Sequence, residues 1–391
     1  MRTGPEIPFR VILVLATMLG GCTPQDAEVA ASQTSRSDSA GILVVTSAQV
    51  NDRVVSLPTP ADSFFTDDTG APFIFTSIGA TVARTTPEGI TFVVSSEGAT
   101  IYVFDESGRY RRNIGRRGDG PGEMRLPFSV RIFHDTIVVY DPMRLALLRW
   151  ADGGQQLLPQ FNVEDSDQGT TPFAFRQDKL LALRHSVAGD SSVASLSWSA
   201  DSTSLLEFRY PVGVVLPLPC IPIPMRRRPL LSPTVHESSY DRRVVVSGDA
   251  EYVVWVLEDD VVTMSVRRSI SPRPVDRRSI ELAAGPGLPA SLGGSRCSIS
   301  PTDLAELVGA ASVVPAIHGL SLTSDMSLWV KRTLPRERPS LVDQFDETGA
   351  YVRTLRNAEL PIGVLPDGRL LIPVEDEDSG GMVVALVRPP T

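Results

Sequence analysis

Histidine and cysteine carry much of the reactive side-chain chemistry open to a protein, and this chain has four of the first and three of the second. His134, His185, His236 and His318 fall one to a repeated unit, at different points along their segments. A metal ion needs ligands that converge, so this scatter predicts no metal site and no cofactor. Cys22 follows Leu19, Gly20 and Gly21 at the end of an apolar run. In that setting small residues admit a peptidase and the thiol accepts diacylglycerol. Cys220 and Cys297 remain, and in an oxidising compartment they are candidates for one disulfide. Their spacing matches neither a zinc site nor a Cys-x-x-Cys redox pair. Neither Gly-x-Ser-x-Gly nor His-Glu-x-x-His occurs, and Asp105 and Asp346 stand in turns, where a carboxylate shapes the backbone. These counts leave no catalytic set. The glycine- and arginine-rich loop 115–123 contains Arg117, Gly118 and Asp119, but no Gly-Lys-Ser/Thr follows it. Glycines supplying positive φ in a turn explain it better than a phosphate cradle.

The residues before Cys22 have the order of an export signal. Arg2 and Arg10 precede an apolar run over residues 11–19, which is too short to span a bilayer. Residues 1–21 are therefore read as a lipoprotein signal peptide cleaved after Gly21, with Cys22 acylated. Two or three acyl chains hold a protein far more firmly than one. Thr23, where an Asp would favour the inner membrane, directs the expectation to an outer-membrane anchor facing the periplasm or cell surface. Residues 22–40 are small and polar without an apolar period, which predicts a flexible tether. The composition is 42% hydrophobic and 21% charged, and the net charge of −9 argues against nucleic acid or anionic lipid as a partner surface. The run Arg226, Arg227, Arg228 reads as a solvated loop.

The elements that must position any site are β-strands. Two distant passages, FDESGRYRRNI at 104–114 and FDETGAYVRTL at 345–355, share one pattern. Each is a strand end, an Asp-x-x-Gly turn and a second strand, which together make a hairpin. Short alternating runs continue the pattern in groups of four: 80–114, 129–161, 173–210, a less regular group that opens on a poorly marked strand near 230–235 and runs to 268, and 319–355. The last group, 361–389, lacks its outer strand. Repeated four-stranded antiparallel units predict an all-β fold, a six-bladed β-propeller spanning 41–391. Residues 42–47 or 53–58 are candidates to complete the open last blade. An insertion at about 269–315 interrupts the rhythm and predicts one short helix, with Ser300 as N-cap, Pro301 at the first position and an apolar stripe of Leu304, Leu307, Val308 and Ala311.

The stretch IYVFDESGRYRRNIGRRGDGPGEMRLP resembles the blade and interblade turn of NHL-like six-bladed propellers, including a group of bacterial lipoproteins with G-x-x-G-x-GPGE-x-x-x-P. Here that element is Gly115, Gly118, Gly120, Pro121, Gly122, Glu123 and Pro127. In such an architecture the entrance of each innermost strand lines a channel mouth, where ligands bind. Phe128, Phe173 and His318 occupy three of those positions. NHL-type lyases place several histidines there, whereas only His318 is so placed by alignment of these blades. Cys220 and Cys297 fall in connections that emerge on one face. The reading that follows is a membrane-anchored, non-catalytic binding or scaffold propeller at the cell envelope, with a protein, peptide or glycan partner. The alternative is a propeller hydrolase or lyase acting at the mouth.

Overall fold

The computed structural model describes residues 34–389 except 49–52, 58–62, 80, 163–170, 177–178, 189–190, 199–203, 217–224, 260, 272, 285–287, 293–294, 335–336 and 377–378. It is a six-bladed β-propeller. Blade one runs Ala83–Thr85, Thr91–Ser95, Thr100–Phe104 and Tyr110–Ile114, each strand antiparallel to the last. Successive residues of these strands point to opposite faces, and Phe92, Val94, Ile101, Val103 and Ile114 bury themselves against the next blade while Val93 and Phe104 bury on the other side. Blade two holds Ser129–Phe133, Thr136–Asp141 and Ala146–Ala151, but its outer strand is broken into Gln156–Leu157 and Phe161–Asn162. The proline between those pieces cannot donate to a ladder. Blades three, four and five each contribute four strands in sequence order, and blade six contributes three.

Blade six is completed in a way that corrects the expectation from sequence. Strand Ile42–Ala48 instead joins blade four, parallel to its outer strand Val261–Ser269. Val54–Ser56 joins blade five, parallel to Tyr351–Arg356. The gap is filled by residues 63–75. Ser63 and Phe75 bridge Ala385 and Met382 of the last strand, while Thr66 bridges Arg109 of blade one. This segment is a third copy of the Asp-x-x-Gly hairpin. Asp67, Asp105 and Asp346 each accept from the backbone N–H two residues on and from a Ser or Thr hydroxyl at the same place. Phe65 is fully buried and stacks on Phe104 at 4.3 Å, a burial that stabilises by about 1.5–3 kcal/mol. At Gly108, φ is +80° and an added Cβ would lie 2.2 Å from the Phe64 carbonyl oxygen. Only glycine lets the closing hairpin approach this closely.

Three further elements differ from the sequence pattern. Thr34–Ser39, within the expected tether, is a strand paired with Ile42–Ala48, because the second strand offers it a free edge. The innermost strand of blade four is His236–Tyr240, not the run near 230–235. The insertion holds two helices, α1 (Arg277–Ala284) and α2 (Pro301–Val308). Helix α2 is capped as expected by Ser300, whose hydroxyl accepts from the Asp303 N–H. Its Leu304 and Val308 are buried, whereas Leu307 is 48% exposed. Helix α1 starts on a reciprocal pair in which Asp276 accepts from the Ser279 N–H and the Ser279 hydroxyl accepts from the Asp276 N–H.

Candidate functional site

The innermost strands place charged groups where a channel would run. Arg84 of blade one is fully buried and reaches across to blade four, donating from Nε to the Ser239 carbonyl at 3.3 Å and from Nη2 to the Ser238 hydroxyl at 3.2 Å. Burial, and then the neighbouring Arg131, push its pKa down to about 9, so it stays charged at neutral pH. Arg131 of blade two pairs with Glu237 of blade four and donates to the Thr81 and Val130 carbonyls. Ser238 also accepts from the Leu322 N–H of blade five. Three blades therefore meet on two arginines, with blade five joined through Ser238, and these side chains fill the space between them.

Function must then be sought at the mouth, where the innermost strands begin. Phe128 stands at the entrance of blade two and is 56% exposed, beside Leu126 at 40% and Met143 at 59%. Buried Asp141 fixes this apolar lip. Its carboxylate accepts from the backbone N–H groups of Arg125, Leu126 and Met143, and the Ser96 hydroxyl donates to the Pro127 carbonyl at 2.6 Å. The loop leading to the lip is equally constrained. Glu123 accepts from Arg116 and from the Gly120 N–H, which holds its carboxyl below the usual range. Gly118 has φ +153°, and a Cβ there would meet Glu123 at 2.0 Å. Gly115, Gly118 and Gly122 do supply positive φ, and the amide of Gly120 is already given to the loop's own carboxylate.

Across the mouth, His318 precedes the innermost strand of blade five (Gly319–Leu322) and His236 opens that of blade four. Alignment from sequence found the first and missed the second, because the blade-four register was set several residues early. Burial lowers both pKa values to about 4, and for His318 the nearby His236 adds to the effect. Both imidazoles are neutral at pH 7. The His318 Nε2 is sealed from solvent and finds no partner among the described residues. Beside them lies a pocket of about 330 Å³ lined by Ile270, Pro315, Ala316 and Leu341 together with Arg273, Arg332, Arg338 and Glu337. Glu337 is held by Arg273 and by the Leu334 N–H. A second pocket, of about 510 Å³, lies between the insertion helices and residues 228–234.

The remaining expected site residues divide. Phe173 lies in blade three's first strand, Thr171–Arg176, with its side chain outside the described set. Gly21, Cys22 and Cys220 fall outside the described residues, as does the side chain of Cys297 in strand Ser295–Ile299. His134 pairs with Asp241 at the opposite face. Among the described residues no group of three or more His, Cys, Asp or Glu gathers as a metal site. No helix among them is long and apolar enough to cross a membrane.

Comparison with known proteins gives the fold. A family model described as a 6-bladed beta-propeller matches residues 85–180, from blade one into blade three. Among solved structures, a protein of Bacteroides fragilis described as exported has 13% identity over 86% of this chain and 100% of its own, with a TM-score of 0.43. A member of the DUF4221 family from Bacteroides vulgatus has 9% identity over 87% and 99%, with a TM-score of 0.47. Virginiamycin B lyase from Staphylococcus aureus has 10% identity over 81% and 98%, with a TM-score of 0.35. No curated protein matches the sequence.

Proposed function

We propose that this protein is a lipid-anchored binding propeller of the bacterial cell envelope, which recognises a protein, peptide or glycan partner at the channel mouth. One observation carries the reading: a rigid, exposed apolar lip stands at the mouth of a channel that arginines fill. Leu126, Phe128 and Met143 are held toward solvent by Asp141, and exposed apolar surface of this kind marks contact sites. Preorganisation lowers the ordering cost of binding. The export signal, Gly21 and the Cys22 thiol supply the anchor and the address, in the outer membrane by the Thr23 criterion. A propeller hydrolase or lyase is the rival, and His236 with His318 is the pair it would use.

The test is the double variant Phe128→Ser with Met143→Ser in the native host. Crosslinking of wild-type protein in intact envelopes should recover a defined partner, and the variant should fold normally and lose it. Recovery undiminished by the variant would contradict the reading. So would turnover of an envelope metabolite that His318→Gln abolishes.

A further inference from the structure

One arginine outside the blades carries a charge that nothing around it meets. Expected from sequence to sit in a solvated loop with Arg226 and Arg227, Arg228 is instead partly buried. Its guanidinium lies over the Tyr210 ring of blade three's outer strand, with Cζ 4.6 Å from the ring centroid. Burial raises the Tyr210 pKa, so the ring beneath the cation is neutral and supplies no counter-charge. No carboxylate or carbonyl among the described residues pairs with Arg228. The adjoining sequence holds no acid either, since residues 211–236 and 282–302 contain no Asp or Glu.

This guanidinium borders the 510 Å³ pocket between the insertion helices and residues 228–234, a size at which small-molecule sites occur. Arg228 is the one charged group among the described residues that line it. Leu230, Leu231, Leu304 and Val308 form an apolar wall. That wall is fixed from several sides. The Leu230 N–H donates to the Gly309 carbonyl at the end of α2, and the Leu230 carbonyl accepts from the Ala311 N–H, both at 2.9 Å. At Leu231 the backbone is left-handed, with φ +60°, a conformation that a bulky side chain seldom adopts. The Ser232 N–H closes this turn on the Pro229 carbonyl at 3.2 Å, and the Leu231 side chain is buried with Val314 and Leu334. Strained turns that their surroundings hold in place cluster at ligand sites. The hydroxyl of Ser232, which also lines the pocket, is buried without a partner among the described residues.

We infer that this pocket binds a small apolar monocarboxylate, its carboxylate on the Arg228 guanidinium and its apolar body against Leu230, Leu304 and Val308. A guanidinium is a planar fork that matches a carboxylate through two parallel hydrogen bonds. Tyr210 covers one face of that fork and leaves the N–H edge for the anion. A single cation balances a single negative charge, which disfavours a phosphate dianion. The first turns of α1 and α2, where helix N–H groups could serve a phosphate, do not line the pocket. Leu126, Phe128 and Met143 do not line it either, so the site is independent of the partner surface proposed above.

The test is calorimetric titration of the mature chain carrying Cys22→Ala, which leaves no acyl chain to compete, with octanoate as the probe. Octanoate should bind at one site. Octan-1-ol, which keeps the tail and lacks the charge, should bind about tenfold more weakly, and Arg228→Gln should lower octanoate affinity by about the same factor. Arg111→Gln, which removes an ion pair with Asp105 in blade one, should change neither. Absence of octanoate binding at millimolar concentration would overturn the inference, as would equal affinity for octanoate and octanol, displacement by inorganic phosphate, or full octanoate affinity in Arg228→Gln. The octanol comparison is made on unaltered Arg228 and decides the matter even where Arg228→Gln does not fold. Acetyl-Leu-Leu with a free carboxylate separates a protein C-terminus from a free acid. Tighter binding of this peptide than of octanoate would overturn the assignment to a small acid.

Discussion

Two buried clusters in this propeller contain the same charges, two arginines and one carboxylate, and they are built differently. At the seam between blades four and five, Asp343 is fully buried, accepts hydrogen bonds from Tyr252 and Thr354, and forms ion pairs with Arg268 and Arg332. Arg268 also stacks on Tyr351 at 4.1 Å, and burial with the neighbouring Asp343 drives the Tyr252 pKa well up. In the channel, Glu237 meets Arg131 alone, its second oxygen finds no partner among the described residues, and Arg84 rests on neutral acceptors. One carboxylate is saturated and the other is not. The seam is thus a fastener that depends on its acid, whereas the channel is a filling held mainly by backbone and serine oxygens. Neither is open to a ligand, which leaves the mouth.

The contrast is broken most severely at Asp343. Asp343→Ala strands two buried guanidinium groups, and should cost about 3–5 kcal/mol of stability, measured by urea unfolding. A loss below about 1 kcal/mol would mean that the seam does not depend on its acid.

Acid should act next, and on the channel side. His236 and His318 have folded pKa values near 4, below the unfolded value of about 6.5. Between those limits the unfolded chain binds protons that the folded chain refuses. Stability is therefore complete above about pH 6.5 and falls toward pH 4, by on the order of 2–3 kcal/mol for each histidine. The double variant His236→Gln with His318→Gln should flatten that part of the pH profile, and an unaltered profile would contradict the assignment.

The smallest effect should come from the channel arginine. Arg84→Met removes a desolvated charge that repels Arg131 and leaves no carboxylate behind, so stability should change by less than about 1 kcal/mol, or rise. A loss like that of Asp343→Ala would erase the distinction between the clusters.

Much of the fold was legible. Blade-two strands Ser129–Phe133 and Thr136–Asp141 fall where alternation put them, because an apolar face turned to a neighbouring blade enforces a period of two. Blade four's innermost strand was hidden for a physical reason. His236–Tyr240 is polar along most of its length, and its Ser238 hydroxyl faces Arg84, while the leucine and proline run before it imitates a strand. The closing hairpin did leave a signal, Asp67, Thr69 and Gly70 in the spacing of Asp105, Ser107 and Gly108, but the intervening sequence is otherwise dissimilar. Arg84 and Arg131 also leave one, each standing second or third in an innermost strand between buried neighbours. Read singly, each looks like a surface arginine. Phe128 was found by position alone, whereas its exposure depends on Asp141, fifteen residues beyond Leu126 in the chain.

The exposed apolar lip implies that recognition occurs at the mouth and not through the body of the disc. A photoreactive residue at position 128, compared in the native envelope with one at position 106 in the opposite-face turn, tests it most directly. The expected result is one discrete crosslinked product from position 128 and none from position 106. The same product from both positions, or from position 106 alone, would contradict it.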